Sequence, residues 1–195
     1  MIDKTTYEKM KSRYGDVGSW AIWGNETNGK ATSGMNDMSW LDSPNVLDTL
    51  NTGFVFVGEN WSRNPNETCE GPWRNFHTGH RNSKSYKLRN ALRNTRYWGS
   101  YITDVFKNYV VVDSHEAEAG KTRAEKDAAV AALEEEIETL GGKKPVIVAL
   151  GEATYKILNA RLGGKYTVVR VMHYSHRVSA EKYKDEVLKV LDTIQ

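Results

Sequence analysis

Apolar and polar positions change period several times along this 195-residue chain, and each change predicts an element. Phe54-Val55-Phe56-Val57 is a short unbroken apolar run, as in a strand buried on both faces. Ser100-Tyr101-Ile102-Thr103 and Pro145 to Leu150 also read as strands. Tyr166 to Met172 alternates and is rich in β-branched residues, which suits a fourth strand. Helical patterns lie between and around them. They cover Thr5 to Tyr14, Ser83 to Asn94, and Thr122 to Leu140, the last stopped by Gly141-Gly142. Two more open at Gly151-Glu152-Ala153-Thr154 and at Ser179, which caps the final helix. Ser43-Pro44 starts a short helix, with Pro44 at its first position. Strands alternating with helices predict an α/β fold, a three-layer α/β/α arrangement around a central four-stranded, mainly parallel sheet. The chain reads as one domain, residues 1–195. Residues 16–43, rich in Gly, Asn, Ser and Trp, form an irregular segment pinned by Trp20, Trp23, Met35, Met38 and Trp40.

Composition narrows the class. An apolar content of 39% and a charged content of 27% are ordinary for a soluble globular protein. No apolar run approaches the ~20 residues that span a bilayer, so no membrane partner is expected. The polar N-terminus does not read as a signal peptide, and a cytoplasmic location is expected. The single cysteine, Cys69, excludes an internal disulfide and a four-cysteine metal centre; no metal or cofactor is expected.

The net charge of +2 hides an uneven distribution. From Gly71 to Thr103 there is no Asp or Glu, yet Arg74, Arg81, Lys84, Lys87, Arg89, Arg93 and Arg96 all lie there. Trp73, Phe76, Tyr86, Tyr97 and Trp98 are interleaved with them. Such a segment either faces an anionic partner or is a solvated helix face balanced elsewhere.

The chemistry gathers where strands end. The first strand runs into Gly58-Glu59-Asn60, the second into Asp104, the third into Gly151-Glu152. The fourth runs into His173-Tyr174-Ser175-His176-Arg177-Val178-Ser179. In α/β sheets ligands bind at the carboxyl ends of the strands, so a functional cleft is expected there.

In order and spacing these residues resemble the uracil-DNA glycosylase superfamily. Gly58-Glu59-Asn60-Trp61 is similar to its Gly-x-Asp-Pro or Gly-x-Asn-Pro turn, and His173-Tyr174-Ser175-His176-Arg177-Val178 to its His-Pro-Ser-Pro-Leu-Ser motif. Tyr101-Ile102-Thr103-Asp104 resembles the strand that ends in a base-reading Asn, and Val146 to Gly151 the strand and Gly turn before the last motif. The resemblance spans Phe54 to Gln195. It implies a DNA partner and a DNA glycosylase that hydrolyses the N-glycosidic bond of a flipped altered or mispaired base. His173 would donate to the departing base and Asn60 would position the water. Phe76, or alternatively Trp73, would stack on the base, with Asp104 and Gly58 lining its pocket. Arg177 would probe the gap in the duplex, with His176 beside it on the DNA side, and Ser62 and Ser175 would hold phosphates. Glu59 either points into the sheet or is itself the water-orienting carboxylate.

The chain departs from the pattern in two ways. Trp61 and Tyr174 stand where both motifs carry Pro. Asp104 stands where an Asn reads uracil, and an ionised carboxylate only accepts. Asp104 therefore suits an edge with two donors, or else is protonated. The alternatives are a non-catalytic nucleic-acid or nucleotide-binding protein on the same fold, and a small-molecule enzyme using Asp104 and His173.

Overall fold

The computed structural model describes residues 2–60, 71–80, 82–107 and 121–194. Its sheet contains β1 (Ser19–Trp20), β2 (Asn51–Asn60), β3 (Ser100–Phe106), β4 (Val146–Leu150) and β5 (Val168–Val171), in the order β1-β3-β2-β4-β5. The four longer strands are parallel, and β1 runs antiparallel to β3 at the edge. The expected four-stranded sheet therefore has a fifth strand, drawn from the segment read as irregular. Two residues carry no period, and tertiary pairing fixes them: Ser19 faces Ile102, and the Ala21 N–H donates to the Ser100 carbonyl at 2.8 Å.

The helices are α1 (Lys4–Tyr14), α2 (Val46–Thr49), α3 (Tyr86–Leu92), α4 (Arg123–Thr139), α5 (Glu152–Leu162) and α6 (Ala180–Leu191). Several starts follow from side-chain caps. Asp3 accepts from the Thr6 N–H, Ser179 accepts from the Lys182 N–H, and Thr122 forms a reciprocal capping box with Glu125. The short helix expected from Pro44 starts later, at Val46, after a single 3₁₀ turn at Ser39–Asp42.

Strand alternation sends side chains to two cores. Val55, Val57, Tyr101, Val105, Ile147 and Ala149 pack with Met10 of α1, Leu133 and Ile137 of α4 and Leu158 of α5. Phe56, Ile102, Val148 and Leu150 pack with Leu88 and Leu92 of α3 and Tyr183 and Val187 of α6. Helices thus cover both faces. After β2 the chain crosses by α3 on one face; after β3 and β4 it crosses by α4 and α5 on the other. In α/β sheets such a change of side marks the carboxyl ends of the strands around it, here β2 and β4, as the usual place for a ligand. Among the described residues no helix is long and apolar enough to cross a membrane.

Much of the basic segment is spent internally. Arg89 is 1% exposed and donates to the carbonyls of Ser33 at 2.7 Å and Ala31 at 2.9 Å. Arg93 donates to the Trp23 and Gly24 carbonyls and lies over Trp98. Arg96 lies over Phe54 and Tyr97. These three cations tie residues 23–33 and the aromatic groups to the body. Arg74, His80 and Lys84 remain exposed.

Candidate functional site

The register of β2 on β3 builds the site. Gly58 faces Asp104 and Asn60 faces Phe106. Both strands run further than their apolar cores suggest, so Gly58, Glu59, Asn60 and Asp104 are strand residues, not loop residues. Alternation puts Gly58 and Asn60 on the α3 face with Phe56, and Glu59 on the α4 face with Val57. The Glu59 charge acts there on Lys121. Asn60, not Glu59, therefore shares a face with Asp104. Ser62 lies outside the described residues.

Gly58 is required by close approach. A Cβ on Gly58 would lie 2.3 Å from Asp104 Oδ1 and 3.8 Å from Phe76 Cε1. The Asp104 carboxyl thus occupies the side-chain space of its neighbour, with the Phe76 ring beside it. Asp104 is only 2% exposed, and burial is the main cause that pushes its pKa up to about 7. A hydrogen bond from Asn75 and the charge of Lys107 oppose this, and Glu136 adds to it.

Asn75, unassigned in the sequence reading, is the residue that holds Asp104. Its Nδ2 donates to Asp104 Oδ2 at 3.1 Å. It is 3% exposed and sits in a stretch with two left-handed residues, Trp73 and Phe76, both at φ 67°. Such backbone costs roughly 1–3 kcal/mol per residue and persists only where its surroundings hold it. They do here. Ser19 Oγ donates to the Trp73 carbonyl at 2.6 Å, and Trp23 Nε1 donates to the Phe76 carbonyl at 3.1 Å. Trp73 itself is fully buried against Tyr7, Trp20 and Tyr101. Of the two stacking candidates, Phe76 is partly exposed beside Gly58, and Trp73 is core.

His173 follows β5 and is half-buried, and a Cβ on Gly151 would lie 3.5 Å from the His173 Cβ. Its ring pKa is pushed down to about 4, first by burial and then by the charge of His176. The ring is therefore neutral at pH 7. The Ser175 backbone N–H donates to its Nδ1 at 3.2 Å, and Ser175 Oγ lies 2.7 Å from the same atom. Ser175 thus orients the imidazole and has neither donor left for a phosphate. Tyr174 stacks on His173 with ring centroids 4.2 Å apart, and the nearby Asp104 charge, added to burial, raises its phenol pKa. His176 and Arg177 are exposed. Lys87 of α3 clamps the loop by donating to the His176 carbonyl at 2.7 Å.

A cavity of about 490 Å³ lies elsewhere, on the α4 face, lined by Phe106, Lys107, Lys121, Glu125 and Ala129 among others. It holds none of the residues that the sequence reading singled out. Among the described residues no three His, Cys, Asp or Glu side chains are grouped to hold a metal ion. No protein-family model matches the chain, and no curated protein matches it significantly.

Proposed function

We propose that this protein is a DNA glycosylase of the uracil-DNA glycosylase type, hydrolysing the N-glycosidic bond of an altered or mispaired base flipped out of duplex DNA. Its mainly parallel five-stranded sheet would be a divergent form of that superfamily's fold. The observation that carries the reading is the pairing of Gly58 with Asp104, which sets a buried carboxyl and the Phe76 ring together at the sheet's carboxyl end. A neutral imidazole on the β5 loop adds the second element.

The chemistry follows from these parts. A flipped base stacks on Phe76 and meets Asp104 with its hydrogen-bonding edge. As the glycosidic bond stretches, the sugar gains positive charge and the base negative charge. His173, neutral and with its proton on Nε2, donates to the developing anion; one preorganised donor of this kind is worth about 3 kcal/mol. Asn60 accepts a hydrogen bond from the attacking water and orients it. Arg177, exposed at the loop tip, enters the space the base leaves. Asp104 is 2% exposed, so a base reaches it only if the groups that cover it move aside.

The test is a panel of duplexes each carrying one altered or mispaired base, scored for abasic sites by alkaline strand scission. Production of abasic sites in at least one duplex is expected; their absence from all of them overturns the reading. The Asn60 amide, which cannot take a proton from water, favours a second reading, a non-catalytic binding module on the same fold. That reading gains if DNA is bound, with a steep salt dependence, but never cut.

A further inference from the structure

Two buried lysines of this protein are bonded differently. Lys107 directs its ammonium to Thr103 Oγ1 at 2.7 Å, to the Asp104 backbone carbonyl at 3.0 Å and to the Glu136 carboxylate, so all three hydrogens are used. Lys87, on the first turn of α3 and only 4% exposed, has one acceptor among the described residues, the His176 carbonyl at 2.7 Å. Burial, and after it the charge of Lys84, push its pKa below the usual lysine value, and no carboxylate counters them. A buried cation without an anionic partner is costly, and an anion that reaches it relieves that cost.

The groups around Lys87 are donors as well. Its backbone N–H donates to the Lys84 carbonyl at 3.0 Å, and this single turn puts the two side chains on one face. Lys84 is exposed, and its ammonium makes no hydrogen bond or ion pair among the described residues. The exposed His176 ring leaves the residue whose carbonyl Lys87 holds, and it makes no hydrogen bond there either. No Asp or Glu occurs from Gly71 to Thr103, and Glu181, in the first turn of α6, pairs with neither lysine. Ser175, one residue before His176, spends its N–H and its hydroxyl on His173. The donors left for an anion beside this loop are therefore those of Lys84, Lys87 and His176.

We propose that Lys84, Lys87 and the His176 ring form a binding site for a phosphate group between α3 and the β5 loop. Its oxygens take the free hydrogens of the Lys87 ammonium on the inner side and those of Lys84 and His176 on the outer side. A phosphodiester of a nucleic-acid backbone and the phosphate of a free small molecule share this chemistry. The site does not rest on the glycosylase reading, and Arg177 is not part of it. Because Lys87 also holds the His176 carbonyl, the phosphate and the loop that carries His173 share one ammonium.

Two measurements test it. The first is an NMR titration of the whole ¹⁵N-labelled protein with inorganic phosphate, at an ionic strength held constant with chloride. Saturable shifts are expected at the amides of Lys84, Lys87, His176 and Arg177. They should need about tenfold more phosphate in Lys84→Ala and more again in Lys84→Glu, both at an exposed position that leaves the fold intact. No saturable shift, or the same affinity in wild type and Lys84→Glu, overturns the proposal. The second separates the sources. A duplex carries one uncharged methylphosphonate linkage, moved along the strand one position at a time. If the phosphate belongs to a backbone, one position weakens wild-type binding and leaves Lys84→Ala binding unchanged. If inorganic phosphate binds and no linkage behaves so, the site stands and its phosphate comes from a small molecule. The abasic-site panel scores the glycosylase reading separately, so either can fail alone.

Discussion

The Ser175 backbone N–H donates to Nδ1 of His173 at 3.2 Å, and this fixes the tautomer of the neutral imidazole. An N–H can only donate, so Nδ1 carries no proton and Nε2 does. Ser175 Oγ, 2.7 Å from Nδ1, then donates as well. The ring is a donor by construction, not a base. On the acid side, turnover should stay flat down to about pH 5 and fall only as His173 protonates near its pKa of about 4. A rate that already falls below the ordinary histidine value, about 6.5, contradicts this burial.

Gly58→Ala should damage both stability and activity. The added methyl would meet Asp104 Oδ1 at 2.3 Å, and Asn75 restrains the carboxyl from moving aside. A cost of roughly 1–3 kcal/mol is expected from overpacking. In a double-mutant cycle with Asp104→Ala the two costs should be strongly non-additive, because the clash partner is gone. Additive costs measured by urea denaturation would place the strain elsewhere.

Buried titrating groups predict a specific pH dependence of stability. The folded pKa of Asp104 is raised from 3.8 to about 7, so its favourable contribution is complete below about pH 4 and is lost as pH rises through about 7. His173 and His77 are lowered from 6.5 to about 4, so their contribution is complete above about pH 6.5 and is lost as pH falls through about 4. The two effects oppose each other between about pH 4 and 7. Asp104→Asn should therefore raise the melting temperature at pH 8 and leave a steeper loss on acidification than wild type shows. Equal shifts at pH 5 and pH 8 would mean that Asp104 titrates normally.

Arg89 and Arg177 should separate structure from binding. Arg89→Ala strips two short hydrogen bonds from the carbonyls of Ser33 and Ala31 in the interior. It should cost roughly 3–5 kcal/mol and expose residues 24–33 to protease. Arg177→Ala removes an exposed cation and should leave stability unchanged. It should weaken DNA binding and lower the salt slope by about one if the side chain meets a phosphate. An unchanged slope and affinity would remove Arg177 from the interface.

The sequence made the longer strands legible because their β-branched and apolar runs are dense and bounded by polar turns. The cap at Ser179 was legible for the same local reason. β1 was not, since two residues have no period and long-range pairing defines them. Asn75 was hidden too. It lies in a stretch without periodicity, and its role depends on Val17, Phe76 and Asp104, which only the folded chain brings together. The face of Glu59 was recoverable from alternation alone once the strand extends through Asn60. The inward turn of Arg89 and Arg93 could not be read from charge counts, because what decides it is the set of carbonyls they meet.

Release of a free base is the measurement that tests the central claim most directly. A duplex carrying one altered base, chosen from the panel, is incubated with excess wild-type or His173→Ala protein, and free base and abasic strand are quantified by mass spectrometry. The account predicts equal amounts of both from wild type. It predicts release about a hundredfold slower from His173→Ala, the size expected for one lost preorganised donor, with DNA binding retained. No base released from any duplex, or equal rates for the two proteins, would contradict it.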